Sequence, residues 1–264
     1  MDPKGKTTGT RRQLSALAAL VVLYTLLAAA AYLFIPLEQL VPSKAVAVPA
    51  LAIPRWQLAL ANGGIGIILY GLLGLAGIWL ARRLGLPGVF RPGAGWRCWL
   101  LHPLLVGTLL GLAIALADSL FTRLQEWSGF PQPTFPFSLL AATTAAIGEE
   151  ILFRSFVLGM WGFLLHLALR RWVSRGVTLR IANSLAALAF AAAHLGSALL
   201  VLGASSPAEI PALILLEILL LNTAVGWAAG RQYIRQGLVT AVGLHFWVDV
   251  VLHIVWPVIS MRIC

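Results

Sequence analysis

Two adjacent carboxylates, Glu149 and Glu150, and a guanidinium, Arg154, lie inside one long apolar stretch of this chain. An ionisable side chain at a bilayer centre costs on the order of 2.5–3.5 kcal/mol even on lenient insertion scales. Three within six residues therefore have to face protein, pair with one another, and point to chemistry. Glu150 and Arg154 stand four apart and share a helix face, with the acid N-terminal as an i,i+4 pair prefers. Glu149 is rotated by about 100° and points elsewhere. One carboxylate is thus expected to be neutralised structurally while the other is free to work. The competing reading is a purely structural ion-pair cluster between helices.

Two more pairs repeat the four-residue spacing on later apolar stretches: Phe190 with His194, and His245 with Asp249. The three alanines between Phe190 and His194 are expected to admit a neighbouring helix closely. A lone intramembrane histidine is often only an interhelical hydrogen bond, so this pair is weak by itself. His253 continues the His245–Asp249 stripe but lies beside Trp256, where an interfacial anchor is the plainer role. Glu217 and Asn222 are also intramembrane, and Glu217 could line the same space without belonging to a motif. Asp118 and Glu126 fall near an outer edge, and His102 and His166 near inner ends of their stretches.

The elements that must position these groups follow from composition. The chain is 60% hydrophobic and 11% charged over 264 residues, against about 25% charged in a soluble domain. It reads as an integral membrane protein, an all-α bundle of seven transmembrane helices. The expected spans are 14–35, 58–81, 99–121, 136–166, 181–203, 210–230 and 238–258, each long enough for a core of roughly 30 Å. The count becomes eight if segment 36–57 dips into the interface or one span is re-entrant. The first apolar run follows a basic start but exceeds the h-region of a signal peptide, and so reads as a retained anchor. Residues 1–13 form a basic N-terminus, 14–135 the N-terminal spans, 136–258 the catalytic core and 259–264 a short tail.

The net charge of +10 does not indicate nucleic acid, because the basic residues sit in loops between apolar stretches. With the N-terminus inside, segments 1–13, 82–98, 167–180 and 231–237 hold four, four, four and two, or fourteen of the nineteen Lys and Arg. That asymmetry predicts a cytoplasmic N-terminus. Cys98 and Cys264 form neither a disulfide framework nor a zinc pair. The glycines of span two and the Gly107-x-x-x-Gly111 step of span three are expected to serve close helix packing.

Depth makes the motifs converge. Glu149 and His194 each lie about thirteen residues into their spans, roughly 20 Å along, and Asp249 roughly 16 Å. Two glutamates, an arginine, two histidines and an aspartate can therefore meet in one buried, wet cavity, a candidate active site.

In this order, EExxxR, FxxxH and HxxxD resemble the CaaX protease and bacteriocin-processing family of intramembrane proteases, the Abi family, which includes the type II prenyl-protein endopeptidases. The resemblance covers residues of about 140–255. It implies a seven- or eight-helix bundle that opens toward the cytoplasm and hydrolyses peptide bonds of a membrane-anchored protein or peptide. It assigns water activation to Glu149 and His194, oxyanion stabilisation to His245 with residue 249, and a holding role to Glu150 and Arg154, with Phe190 in support. Several members carry Asn where this chain has Asp249. An ionised Asp cannot donate to an oxyanion, and is left to orient His245 or bind a metal. Zinc on Glu149, His194, His245 and Asp249 is chemically possible, whereas the resemblance favours a cofactor-free, glutamate-type mechanism. The expected partners are the lipid bilayer and a membrane-anchored substrate, with oligomeric state left open. A prokaryotic plasma membrane is the expected location. The other function classes are a proton-coupled transporter, for which no inverted repeat is visible, and a non-proteolytic immunity or scaffold protein.

Overall fold

The computed structural model describes residues 3–36, 53–125 and 133–263. Among these, seven helices are long and apolar enough to cross a membrane. We label them α1 (Pro3–Phe34), α2 (Arg55–Leu84), α3 (Arg97–Gln125), α4 (Phe137–Leu169), α5 (Arg175–Leu202), α6 (Ala212–Gln236) and α7 (Leu238–Ser260). Every regular element of the described residues is helical, and the protein is an all-α integral membrane bundle. Residues 37–52 of the 36–57 segment, and Glu126, lie outside the described residues.

Apolar side chains project outward along the bundle, among them Leu60, Leu72, Leu109 and Leu116, each more than 60% exposed. In water such a surface would be an association liability; against lipid tails it is the matched solvent. Inside, close approach replaces the hydrophobic driving force that lipid removes. The glycines of α2 divide accordingly. Gly63, Gly66, Gly74 and Gly77 are buried against α1 and α4, while a Cβ on Gly64 or Gly71 would meet nothing within 4 Å.

Helix α4 is the centre of the arrangement, touching α1, α2, α5, α6 and α7. Helix α7 is held against it from behind by α3 through the expected Gly107 and Gly111. A Cβ on Gly107 would come 2.6 Å from the Leu244 carbonyl oxygen, and one on Gly111 2.8 Å from Val251 Cβ. Helices α5 and α6 meet where Gly226 faces Ala187, with 3.1 Å from its would-be Cβ to Ala187 Cα. The alanines between Phe190 and His194 do not make that approach as a group: Ala191 is buried, but Ala192 and Ala193 are exposed. Their one-residue steps rotate them off the face that Phe190 shares with His194.

Three departures from regular α-helix bear on the site. Helix α4 widens into π-helical turns over Ile151–Leu158, directly after the two glutamates. Helix α7 does the same over Val251–Val255, directly after Asp249. Helix α5 breaks at His194, between Ala193 and Leu195. Wider turns of this kind occur most often at functional sites.

At one end of the bundle the helix junctions are tied together. The Arg175 guanidinium donates to the carbonyls of Leu84 (2.7 Å) and Gly85 (3.0 Å), which close α2. The Gln13 amide donates to the carbonyls of Pro87 and Phe90 and accepts from the Val89 N–H. Gly237 makes the tight α6–α7 turn at φ 101°, with Phe90 Cα only 2.8 Å from where a side chain would start.

Candidate active site

Glu150 and Arg154 face inward from consecutive turns of α4, and both side chains are fully buried. Arg154 Nε donates to Glu150 Oε2 at 3.0 Å. The other carboxylate oxygen of Glu150 accepts from His245 Nδ1, also at 3.0 Å. Glu150 therefore bridges α4 to α7 and is occupied on both oxygens. The pairing expected from the four-residue spacing is present, and the tertiary fold adds a second partner from 95 residues away.

Arg154 is satisfied only in part. Its two terminal nitrogens have no acceptor, and the Phe190 ring lies 4.9 Å from its Cζ. A desolvated cation over an aromatic face is stabilised by about 2 kcal/mol or more. Phe190 also touches the rings of Phe153 (5.3 Å), His194 (4.7 Å) and His245 (5.6 Å). One apolar ring thus separates the guanidinium from both imidazoles and fixes the spacing among them.

Glu149 is placed differently from its neighbour. Its side chain is 33% exposed, and His245 Nε2 stands 3.9 Å from its Oε2, beyond hydrogen-bond range. The same Nε2 lies 3.6 Å from Asp249 Oδ2. His245 is thus gripped at Nδ1 by Glu150 and presents Nε2 between two carboxylates. His194, half-buried at the break in α5, has Nδ1 2.8 Å from the Phe190 carbonyl. A carbonyl only accepts, so Nδ1 carries the proton and Nε2 of the neutral ring keeps its lone pair. His194 and His245 are both within electrostatic reach of Glu149. All seven motif residues consequently meet at the junction of α4, α5 and α7.

Glu217 is not one of them. It accepts a hydrogen bond from the Gln125 amide and lies near the Asp118 carboxyl, making a separate polar patch between α3 and α6. Asn222 donates to the Ile218 carbonyl of its own helix. As for a metal, no group of three or more His, Cys, Asp or Glu among the described residues is arranged to hold one.

Residues 131–251 match the family model described as type II CAAX prenyl endopeptidase Rce1-like. The match makes that segment similar to this family. No curated protein and no solved structure matches the chain. The Rce1-like segment contains all seven motif residues and points to a membrane-embedded peptidase; α1, α2 and α3 lie outside it.

Two side chains outside the three motifs border Glu149. Tyr24 of α1 and Tyr70 of α2 pack with ring centroids 4.3 Å apart at 55°. A Cβ on Gly148 would fall 2.6 Å from Tyr24 Cε2 and 3.2 Å from Tyr70 Cζ. Their signal in the sequence is position. Tyrosine concentrates at membrane interfaces, yet each of these is the sixteenth residue of its span, close to the middle.

Proposed function

We propose that the protein is an intramembrane endopeptidase that hydrolyses a peptide bond in a membrane-anchored protein or peptide, of CaaX, sorting-tail or bacteriocin type. The observation that carries this reading is the asymmetry of the two adjacent glutamates. Glu150 is fully buried and doubly bonded, whereas Glu149 is partly exposed and free of any close partner. A carboxylate held that way can accept a proton.

In this reading water sits between Glu149 and His194 Nε2. Glu149 takes one proton as the water oxygen attacks the scissile carbonyl carbon. His245, as an imidazolium whose Nδ1–H stays on Glu150, donates its Nε2–H to the oxyanion, a contact typically worth about 2.7–4 kcal/mol. Asp249, an acceptor, orients that N–H. Collapse of the tetrahedral intermediate breaks the C–N bond, and Glu149 returns its proton to the leaving amine. No metal enters these steps. The excess of basic residues in four segments supports a cytoplasmic N-terminus, and a prokaryotic plasma membrane is the proposed setting.

The test is a termini-resolved mass-spectrometric comparison of membranes from cells carrying wild type or Glu149→Gln at equal expression. New peptide ends found only with wild type are expected, and they identify the substrate and cleaved bond together. Identical termini in both would sink the peptidase reading in favour of transport or scaffolding.

A further inference from the structure

Glu149 lacks the side-chain grip that Glu150 has, so its position must come from its backbone. That backbone is not held by a regular helix alone, since α4 turns π-helical from Ile151. What abuts it is the Tyr24 ring, seated in a slot between two glycines. One is Gly148, immediately before Glu149; the other is Gly66 of α2, whose would-be Cβ lies 3.1 Å from Tyr24 Cε1. Tyr70 closes the slot from α2, its ring packed on that of Tyr24. A side chain on Gly148 would displace aromatic carbon that is itself wedged, so the contact is stiff.

We propose that Tyr24 and Tyr70 are positioning residues for Glu149, so that α1 and α2, outside the Rce1-like segment, complete the working site. The ring does the positioning, and the Tyr70 ring packed on it keeps it in register. The groups facing Glu149 are then His245 and Asp249 of α7, His194 of α5, Glu150 of its own helix and Tyr24 of α1. The kinetic consequence rests on the peptidase reading; the structural one does not.

The experiment uses the full chain in lipid nanodiscs, with Tyr24→Leu, Tyr24→Phe, Gly148→Ala and the Gly148→Ala/Tyr24→Leu pair. One readout is the infrared carboxyl band of Glu149, assigned by its loss in Glu149→Gln. The other is kcat and KM on an internally quenched farnesylated peptide ending in a CaaX sequence. Tyr24→Leu and Gly148→Ala are each expected to move the band and to lower kcat roughly ten- to hundredfold with little change in KM, the scale of an ångström-level misplacement. Tyr24→Phe, which keeps the ring, retains most of the rate. The double variant is less impaired than the two single effects combined, as for residues in contact. If Tyr24→Leu fails to fold, Gly148→Ala carries the same readouts. A folded variant with an unmoved band and wild-type kcat overturns the proposal while leaving the peptidase reading intact. A moved band in a protein that does not cleave this peptide leaves the positioning standing and defeats the CaaX form of the peptidase reading.

Discussion

Two polar regions are buried among the spans, and both contain a glutamate. Around Glu150 the partners come from α4 and α7, with Phe190 of α5 packed over Arg154, so three helices join the cluster. Around Glu217, among the described residues, the neighbours Asp118 and Gln125 come from α3 and no histidine or guanidinium joins them. The first region holds one carboxylate rigidly and leaves its neighbour Glu149 open; the second engages its glutamate with neutral or like-charged company. A carboxylate inside a membrane is therefore not by itself a site. What makes the first region a candidate for catalysis is the division of labour between two adjacent residues on different faces of one helix.

That contrast can be broken at several points. The largest effect is expected from Glu149→Gln, which removes the proposed base while sparing the packed core. Its turnover should fall about 10²- to 10⁴-fold with an unchanged unfolding midpoint, read by peptide cleavage and by chemical denaturation in detergent. Arg154→Ala comes next, since it removes one of the two partners of the fully buried Glu150 and leaves only His245. A stability loss of about 3–5 kcal/mol is expected, and an unfolding curve overlaying wild type would mean that His245 alone suffices to hold Glu150. Gly107→Leu, outside every motif but packed against Leu244 beside His245, forces α3 away from α7 and should cost about 1–3 kcal/mol. It should also lower kcat by moving His245, which cleavage kinetics on the folded fraction would detect. Smallest is Glu217→Gln, which alters only the second region. A change near 1 kcal/mol, the worth of one hydrogen bond, and a wild-type cleavage rate are expected; a large loss of rate would join the two regions functionally.

Much of this was legible in one dimension. Among the described residues the seven apolar stretches reappear as seven helices, with most ends displaced by a few residues because fraying and loop contacts set the boundaries, while α1 begins well before its apolar stretch, at Pro3. The Glu150–Arg154 pair followed from a spacing that any helix enforces, and Gly107 and Gly111 do pack a neighbour closely. The Phe190–His194 stretch was only half legible: the shared face is real, yet Ala192 and Ala193 point outward, since periodicity says which residues share a face and not what covers it.

By itself the sequence determined the membrane class, the spans, and which motif residues share a helical face, because hydropathy and the 3.6-residue repeat act over a few turns of one chain segment. Only the tertiary structure decided that His245 would grip Glu150 rather than Glu149, that Glu217 would turn to α3, and that Tyr24 would fit between Gly66 and Gly148. Each of those outcomes depends on which helices become neighbours and how closely their backbones approach. That is settled by packing between residues dozens of positions apart, where no local period carries the information.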